Sequence, residues 1–262
     1  MPDTATFDEL LAEGLAIDVE ARWGAGFIDG RYVPGKPSWT WPQVARPYLA
    51  NAESLLDMGT GEGGHLLTLG PLPPLTIAYE EWLPTVPAAV ATLRPHGVHV
   101  VVCLGSDDNT SPRRTRPRLP FADGTFDVIT NRHEAFDADD VRRLLRPHGA
   151  FVTQQVGGDE EASVRALLGL APQTDDWTLA EAQAQLEAAG LAIVDGDEEW
   201  AATVFTDVAA LVAYIRSVPW SIPEFDPAAM RDRLTALHEA CVRDGRLEAV
   251  THRFWTVGRR PY

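Results

Sequence analysis

Residues 55–64 read Leu55-Leu56-Asp57-Met58-Gly59-Thr60-Gly61-Glu62-Gly63-Gly64, or LLDMGTGEGG. The glycines at 59, 61 and 64 follow the spacing G-x-G-x-x-G, which marks a tight turn between a strand and a helix where a ligand can approach the backbone. In a chain with 21 glycines the spacing alone is weak. The informative residues are Asp57 and Glu62. A pyrophosphate on this turn would meet two carboxylates, and like charges in a partly desolvated site repel strongly. The turn therefore suits a ligand without phosphates, preferably one carrying positive charge.

The flanking segments alternate in a regular way. ESLLDMG, LTIAYEE, VHVVVCLG, FDVITNRH and AFVTQQVGG read as short apolar strands, and GGHLLTLG, PTVPAAVATLRPHG and DADDVRRLLRPHG as the helices between them. Such alternation predicts an α/β fold with a mostly parallel sheet covered on both faces. Before it, residues 5–18 form an amphipathic helix, followed by an aperiodic segment too rich in Trp23, Phe27, Tyr32, Trp39 and Trp41 to stay in water. After Gly158 an acidic connection leads to a helix (TLAEAQAQLEAAG), extended structure (LAIVDGDEEWAATVF), two further helices and a closing strand, THRFWTVGRR. The expected organisation is a cover over 1–50, a ligand-binding core over 51–205, a helical insertion over 206–249 and a last core strand over 250–262.

S-adenosylmethionine meets the demands of the turn, because its ammonium and sulfonium are cationic and it carries no phosphate. Gly59, Thr60, Gly61 and Gly63 would line it, with Asp57 at the strand end. Glu80 closes the next strand, where a carboxylate can accept from both ribose hydroxyls, and Glu81 could take its place. Asp107 and Asp108, after the third strand, could each accept from the adenine amino group.

With these residues in view, the chain resembles the class I S-adenosylmethionine-dependent methyltransferases over about residues 53 to 200. The resemblance is carried by LLDMGTGEGG, AYEEW, LPFADGTFDVITNRHEAF and VRRLLRPHGAFVTQQVGG. NRHEAF, TQQVGG, VPW and HRFW are similar to a bacterial subgroup acting on small molecules. The resemblance implies a Rossmann-like three-layer sandwich whose seven-stranded sheet ends in an antiparallel hairpin, with helical cover from both termini. It also implies that Asn131 touches the cofactor and that His133 or Glu134 takes a proton from the acceptor, His133 being the better base near neutral pH. NRHE departs from the N-P-P-Y motif of enzymes that methylate planar amides and base nitrogens, so an oxygen or another nitrogen of a small molecule, as in specialised metabolism, is the expected acceptor.

Composition narrows the classes. The formal net charge of −16 disfavours nucleic acid, an RNA methyltransferase included, since phosphate backbones are gripped by clustered Lys and Arg. Asp137 and Asp140 read as a helix start, not as metal ligands, and no metal is expected. Two cysteines, no leader pattern and no membrane-length apolar run suggest a soluble cytoplasmic protein, monomer or homodimer. Trp39, Trp41, Gln154 and Trp220 are candidate walls of a substrate pocket, and the arginines of SPRRTRPR a candidate anion receptor. Two rivals share this reading of the turn: a cyclase or rearranging enzyme that binds the same cofactor, and a non-catalytic ligand-binding protein.

Overall fold

The computed structural model describes residues 5–19, 28, 30–109, 116–171 and 177–262. In chain order its elements are α1 (Phe7–Ala16), β1 (Tyr32–Val33), α2 (Trp41–Leu49), β2 (Ser54–Met58), α3 (Gly64–Leu67), β3 (Leu75–Glu80), α4 (Val86–Leu93), β4 (His99–Val102) and β5 (Phe126–Arg132). Then follow α5 (Ala138–Leu144), β6 (Leu145–Val156), α6 (Gly158–Leu167), α7 (Leu179–Ala188), β7 (Ala192–Phe205), α8 (Val208–Ser217), α9 (Arg231–Asp244) and β8 (Leu247–Arg259).

The strands form one sheet in the order β1-β7-β8-β6-β5-β2-β3-β4. From β6 to β4 the pairings are parallel, and β8 runs antiparallel to β6. The chain winds outward through β2, β3 and β4, then returns to the other side of β2 for β5 and β6. That reversal puts a crevice between the carboxyl ends of β2 and β5, where open α/β sheets bind their ligands. Asp57 pairs with Thr130 and Met58 with Asn131 at this point. The architecture is the mostly parallel α/β sheet that the alternating pattern predicts, with the Rossmann-like form and the terminal antiparallel hairpin that the resemblance implies.

The fold divides into two compact units, the first of residues 1–36, 158–174 and 200–252, the second of 37–157, 175–199 and 253–262. In the first, α8 is buried along nearly its whole length. A Cβ at Gly14 of α1 would stand 2.7 Å from Ala209 O, so the two helices meet where one lacks a side chain. Arg31 joins Glu13 to Asp207, the N-cap of α8. In the second unit the sheet has an apolar core on each face. One is built around Leu56, Met58, Tyr79, Ile129 and Phe151, the other around Leu55, Ala78, Val128, Val152 and Val257. Strand alternation sends neighbouring residues to opposite cores.

Four features depart from the sequence reading. The sheet has an eighth strand, the two-residue β1, paired antiparallel with β7 at Phe205 and Val204. The aperiodic aromatic segment ends in α2, started by a reciprocal capping box between Thr40 and Gln43 that outweighs Pro42 and Pro47. The acidic connection after Gly158 is α6, whose Asp159, Glu160 and Glu161 sit in the first turn, where the helix dipole favours negative charge. β6 begins at Leu145, so LLRPHG is part strand, with His148 at a φ of 65° where the strand bends. Trp23, Phe27, Arg113 and Arg114 lie outside the described residues.

Candidate functional site

Three backbone N–H groups close the glycine turn: Thr60 N donates to Tyr79 O, Gly63 N to Thr60 O, and Gly61 N to the Glu80 side chain at Oε2, 2.6 Å away. Gly63 has a φ of 83° and a Cβ there would strike Leu93 Cγ at 2.5 Å, so it is needed for packing. Gly61 also has positive φ, yet a Cβ at 61 would meet nothing within 4 Å. Its missing side chain faces open space, as a ligand-facing glycine requires.

Four carboxylates surround this turn. Asp57 is buried, accepts from Thr130 Oγ1 at 2.7 Å, and is pushed up to about 6, chiefly by burial, with Thr130 pulling against it and Glu80 adding to it. The Thr60 hydroxyl helps hold that value down without a well-formed bond among the described residues. Glu80, also buried, accepts from Glu81 N and Trp82 N through Oε1 and from Gly61 N through Oε2. Glu81 accepts from Gly105 N and pairs with Arg116, which also holds Asp107. Asp108 is exposed beside it.

The fourth carboxylate is Glu134. A Cβ built at Gly59 would stand 2.5 Å from its Oε2, and one built at Gly105 would stand 3.1 Å from its Oε1. Glu134 thus spans from the glycine turn to the loop after β4. Its side chain makes no hydrogen bond or ion pair among the described residues, and burial, then Glu81 and Glu80, push it up to about 8. Tyr79 Oη would stand 2.7 Å from the same Cβ at Gly105 and is a buried hydroxyl without a hydrogen-bond partner among the described residues. Glu62, by contrast, is exposed. The carboxylate that stands against Gly59 is Glu134, two residues beyond the end of β5.

Asn131 and Gln155 face one core, while Arg132 and Gln154 face the other. Asn131 Oδ1 accepts from Thr153 Oγ1 at 3.0 Å and from Gln155 Nε2 at 2.8 Å, while its Nδ2 is buried without a partner. Gln155 reaches on to Glu134 O, and Asn109 Oδ1 accepts from Phe136 N, so this network also fixes the turn after β5.

His133 adopts a left-handed φ of 62°, unusual for a non-glycine residue, while its N–H donates to Gln154 O. The residue keeps an exposed part, while burial of the ring, then Arg132 and Arg253, hold the imidazole well below the usual histidine range. Its Nε2 lies 2.9 Å from Gln154 Nε2, so with the amide in this orientation the neutral ring accepts at Nε2 and carries its hydrogen on Nδ1.

The other named residues separate. Trp41 is buried in the core with Val44, Ala45 and Leu49. Trp39 meets Trp255 edge-on at 6.5 Å, and both indole N–H groups are buried without hydrogen-bond partners among the described residues. Together with Tyr48 and Asp195 they line a cavity of about 350 Å³. Trp220 belongs to the first unit and is 57% exposed. A larger cavity of about 540 Å³, lined by Trp200, Ser163, Arg233 and Glu248, lies within the first unit and contains none of the candidate residues. Asp137 caps α5 by accepting from Asp140 N at 2.9 Å, and Asp140 holds Leu119 N and Arg143. Both carboxylates are thereby committed to structure. No helix of the described residues is long and apolar enough to cross a membrane.

No known protein-family profile matches the chain, and no curated protein sequence does. Solved structures do match. A Bacillus halodurans protein described as a candidate methyltransferase is 15% identical, with a TM-score of 0.55 over 84% of this chain and 96% of that one. The [4+2]-cyclase SpnF is 16% identical, with a TM-score of 0.50 over 100% and 98%. A Haemonchus contortus phosphoethanolamine N-methyltransferase, solved with S-adenosylhomocysteine, is 14% identical, with a TM-score of 0.50 over 100% of this chain and 62% of that one. At these identities the likeness speaks to architecture: the chain has the Rossmann-like fold found in methyltransferases.

Proposed function

We propose that the protein is an S-adenosylmethionine-dependent methyltransferase acting on an oxygen or nitrogen of a small molecule. The observation that carries this reading is the pair of carboxylates Asp57 and Glu80 at the glycine turn, which repels phosphate and suits a cationic nucleoside, with Glu134 a third that a bound cation would draw into its charged form. The residues fit such a group. Tyr79 Oη, Thr60 Oγ1 and Asn131 Nδ2 are buried polar atoms awaiting partners, and Gly61 leaves open space before the turn.

When bound, the cofactor supplies an activated methyl group whose sulfur leaves as a neutral thioether. Glu80 would receive the ribose diol. Three of the roughly four accepting positions of that carboxylate are taken by backbone N–H groups, so a diol donating twice displaces at least one of them. Asp57 and Glu134 would face the cationic end. Near neutral pH Glu134 holds a proton, which makes it a poor base, whereas His133 is already neutral. A proton leaving the acceptor would go to His133, and a turn of the Gln154 amide, presenting its oxygen instead of its nitrogen, would stabilise the hydrogen then carried on Nε2.

Calorimetry with S-adenosylmethionine and S-adenosylhomocysteine tests the reading at its base, and absence of binding by both would end it. A second reading, a cyclase or rearranging enzyme on the same fold, rests on the likeness to SpnF. Methyl transfer releases one S-adenosylhomocysteine per turnover and rearrangement releases none, so product counting separates the two.

A further inference from the structure

The carboxylates occupy only part of the crevice. On the face of the sheet that carries Asp57 and Thr130, alternation places Arg132 two residues beyond Thr130, and Gln154 opposite Arg132. Trp255 lies opposite Gln154, and Arg253 is two residues from Trp255 on the same face. Arg132 Nε is buried without a hydrogen-bond partner, and the guanidinium makes no hydrogen bond or ion pair among the described residues. The neighbouring carboxylate, Asp57, is engaged by Thr130 instead. Arg253 and Arg132 both act on His133, and Arg132 acts on His65, so positive groups gather around Arg132. The chain carries 38 acidic residues against 22 basic ones, which makes this gathering of positive groups a local arrangement. A partly buried guanidinium without an anion is costly, and a ligand can supply what the chain withholds.

We infer that Arg132, with Arg253 and His65 beside it, is the receptor for an anionic group of a bound ligand, a carboxylate or phosphate held by the guanidinium fork. The anion has two possible sources: the amino-acid end of the cofactor or the acceptor molecule. Only the first rests on the cofactor reading above. The same groups bear on the electrostatics from every side. Burial, then Arg253, bring Arg132 down to about 10 while Asp57 pulls it up, and an arriving anion would relieve the repulsion. The basic loop at Arg113 and Arg114 is not needed for this role.

The test compares wild type with Arg132→Met in binding S-adenosylhomocysteine and 5′-methylthioadenosine, which lacks the amino-acid end. If the cofactor supplies the anion, the variant should lose tenfold or more in affinity for the first and none for the second. If the acceptor supplies it, both nucleosides should bind both proteins alike, while inorganic phosphate raises the Tm of the wild type and not of the variant. Unchanged S-adenosylhomocysteine affinity together with an unchanged phosphate response would overturn the inference. Wild type that binds neither nucleoside would defeat the methyltransferase reading alone, since the phosphate response would still decide the anion receptor. Should the variant fail to fold, phenylglyoxal labelling of the wild type replaces it: Arg132 should be modified without ligand and protected by phosphate or S-adenosylhomocysteine. Labelling unaffected by both would count against the receptor.

Discussion

The Glu134 carboxylate lies so close to Gly59 that a Cβ at position 59 would stand 2.5 Å from Oε2 and 2.6 Å from Cδ. A residue that β5 delivers to the site therefore shares its space with the first glycine of the turn leaving β2. Gly59→Ala should force Glu134 aside as well as strain a φ of 59°, at a cost of about 2 kcal/mol. Gly61→Ala meets no protein atom and should cost only the backbone strain of about 1 kcal/mol, yet weaken S-adenosylhomocysteine tenfold or more. Melting curves and calorimetry on the two variants check this, and wild-type affinity in Gly61→Ala would show that its open side faces no ligand.

Two carboxyls in the site have raised values, Asp57 at about 6 and Glu134 at about 8. The folded state then binds protons more tightly than the unfolded chain between each ordinary carboxyl value and the raised one. Stability should fall as pH rises through that window, from roughly pH 4 to pH 8, with no further loss above it. The combined effect is on the order of 2 to 4 kcal/mol after allowing for the partial exposure of Glu134. Urea unfolding at pH 5, 7 and 8.5 should show the decline, and Glu134→Gln should remove its upper part.

Cationic ligands should respond in the opposite sense. S-adenosylmethionine should bind more tightly as pH rises through 8, because Glu134 loses its proton there, whereas S-adenosylhomocysteine, lacking the sulfonium, should show a shallower rise. Parallel profiles for the two ligands would mean that Glu134 does not face the sulfur.

Gln154→Glu places a carboxylate beside the His133 imidazole, 2.9 Å away in the native pair. The His133 value should rise from its depressed position toward the ordinary range. If His133 takes the acceptor proton, the acid limb of kcat/KM moves to higher pH in this variant. Imidazole titration by NMR measures the shift separately, so a shifted value with an unmoved limb would assign the proton elsewhere.

His133→Gly removes the strain of a left-handed non-glycine residue and should leave the fold at least as stable as wild type, by up to about 1 kcal/mol. Methyl transfer should slow if the imidazole handles a proton. A variant that is both more stable and fully active would leave His133 a role in shaping the turn alone.

Much of this arrangement was legible in the chain itself. The apolar run before Asp57, the glycine spacing and the carboxylate ending the next strand are local patterns, and local sterics turn them into strand, turn and helix wherever they occur. Glu80 illustrates this, since its partners Glu81 N and Trp82 N are its own neighbours in sequence. The α5 cap at Asp137 is equally local. The acidic stretch opening α6 shows where such reading stops, because its residues look like a solvated connection until helix-dipole favour and packing of Val164 and Leu168 are known.

The sequence by itself thus determined the parallel α/β architecture, the turn at Gly59–Gly64 and the carboxylates at Asp57 and Glu80, because strand periodicity and turn chemistry act over a few residues. Only the tertiary structure decided that Glu134 rather than Glu62 stands against Gly59, that Tyr79 Oη meets it at Gly105, and that Arg132 is left without an anion on the opposite side. Alternation tells which residues of a strand share a face. What lies opposite that face depends on the register of β5 against β2 and β6, a pairing between segments distant in sequence that the packed core selects.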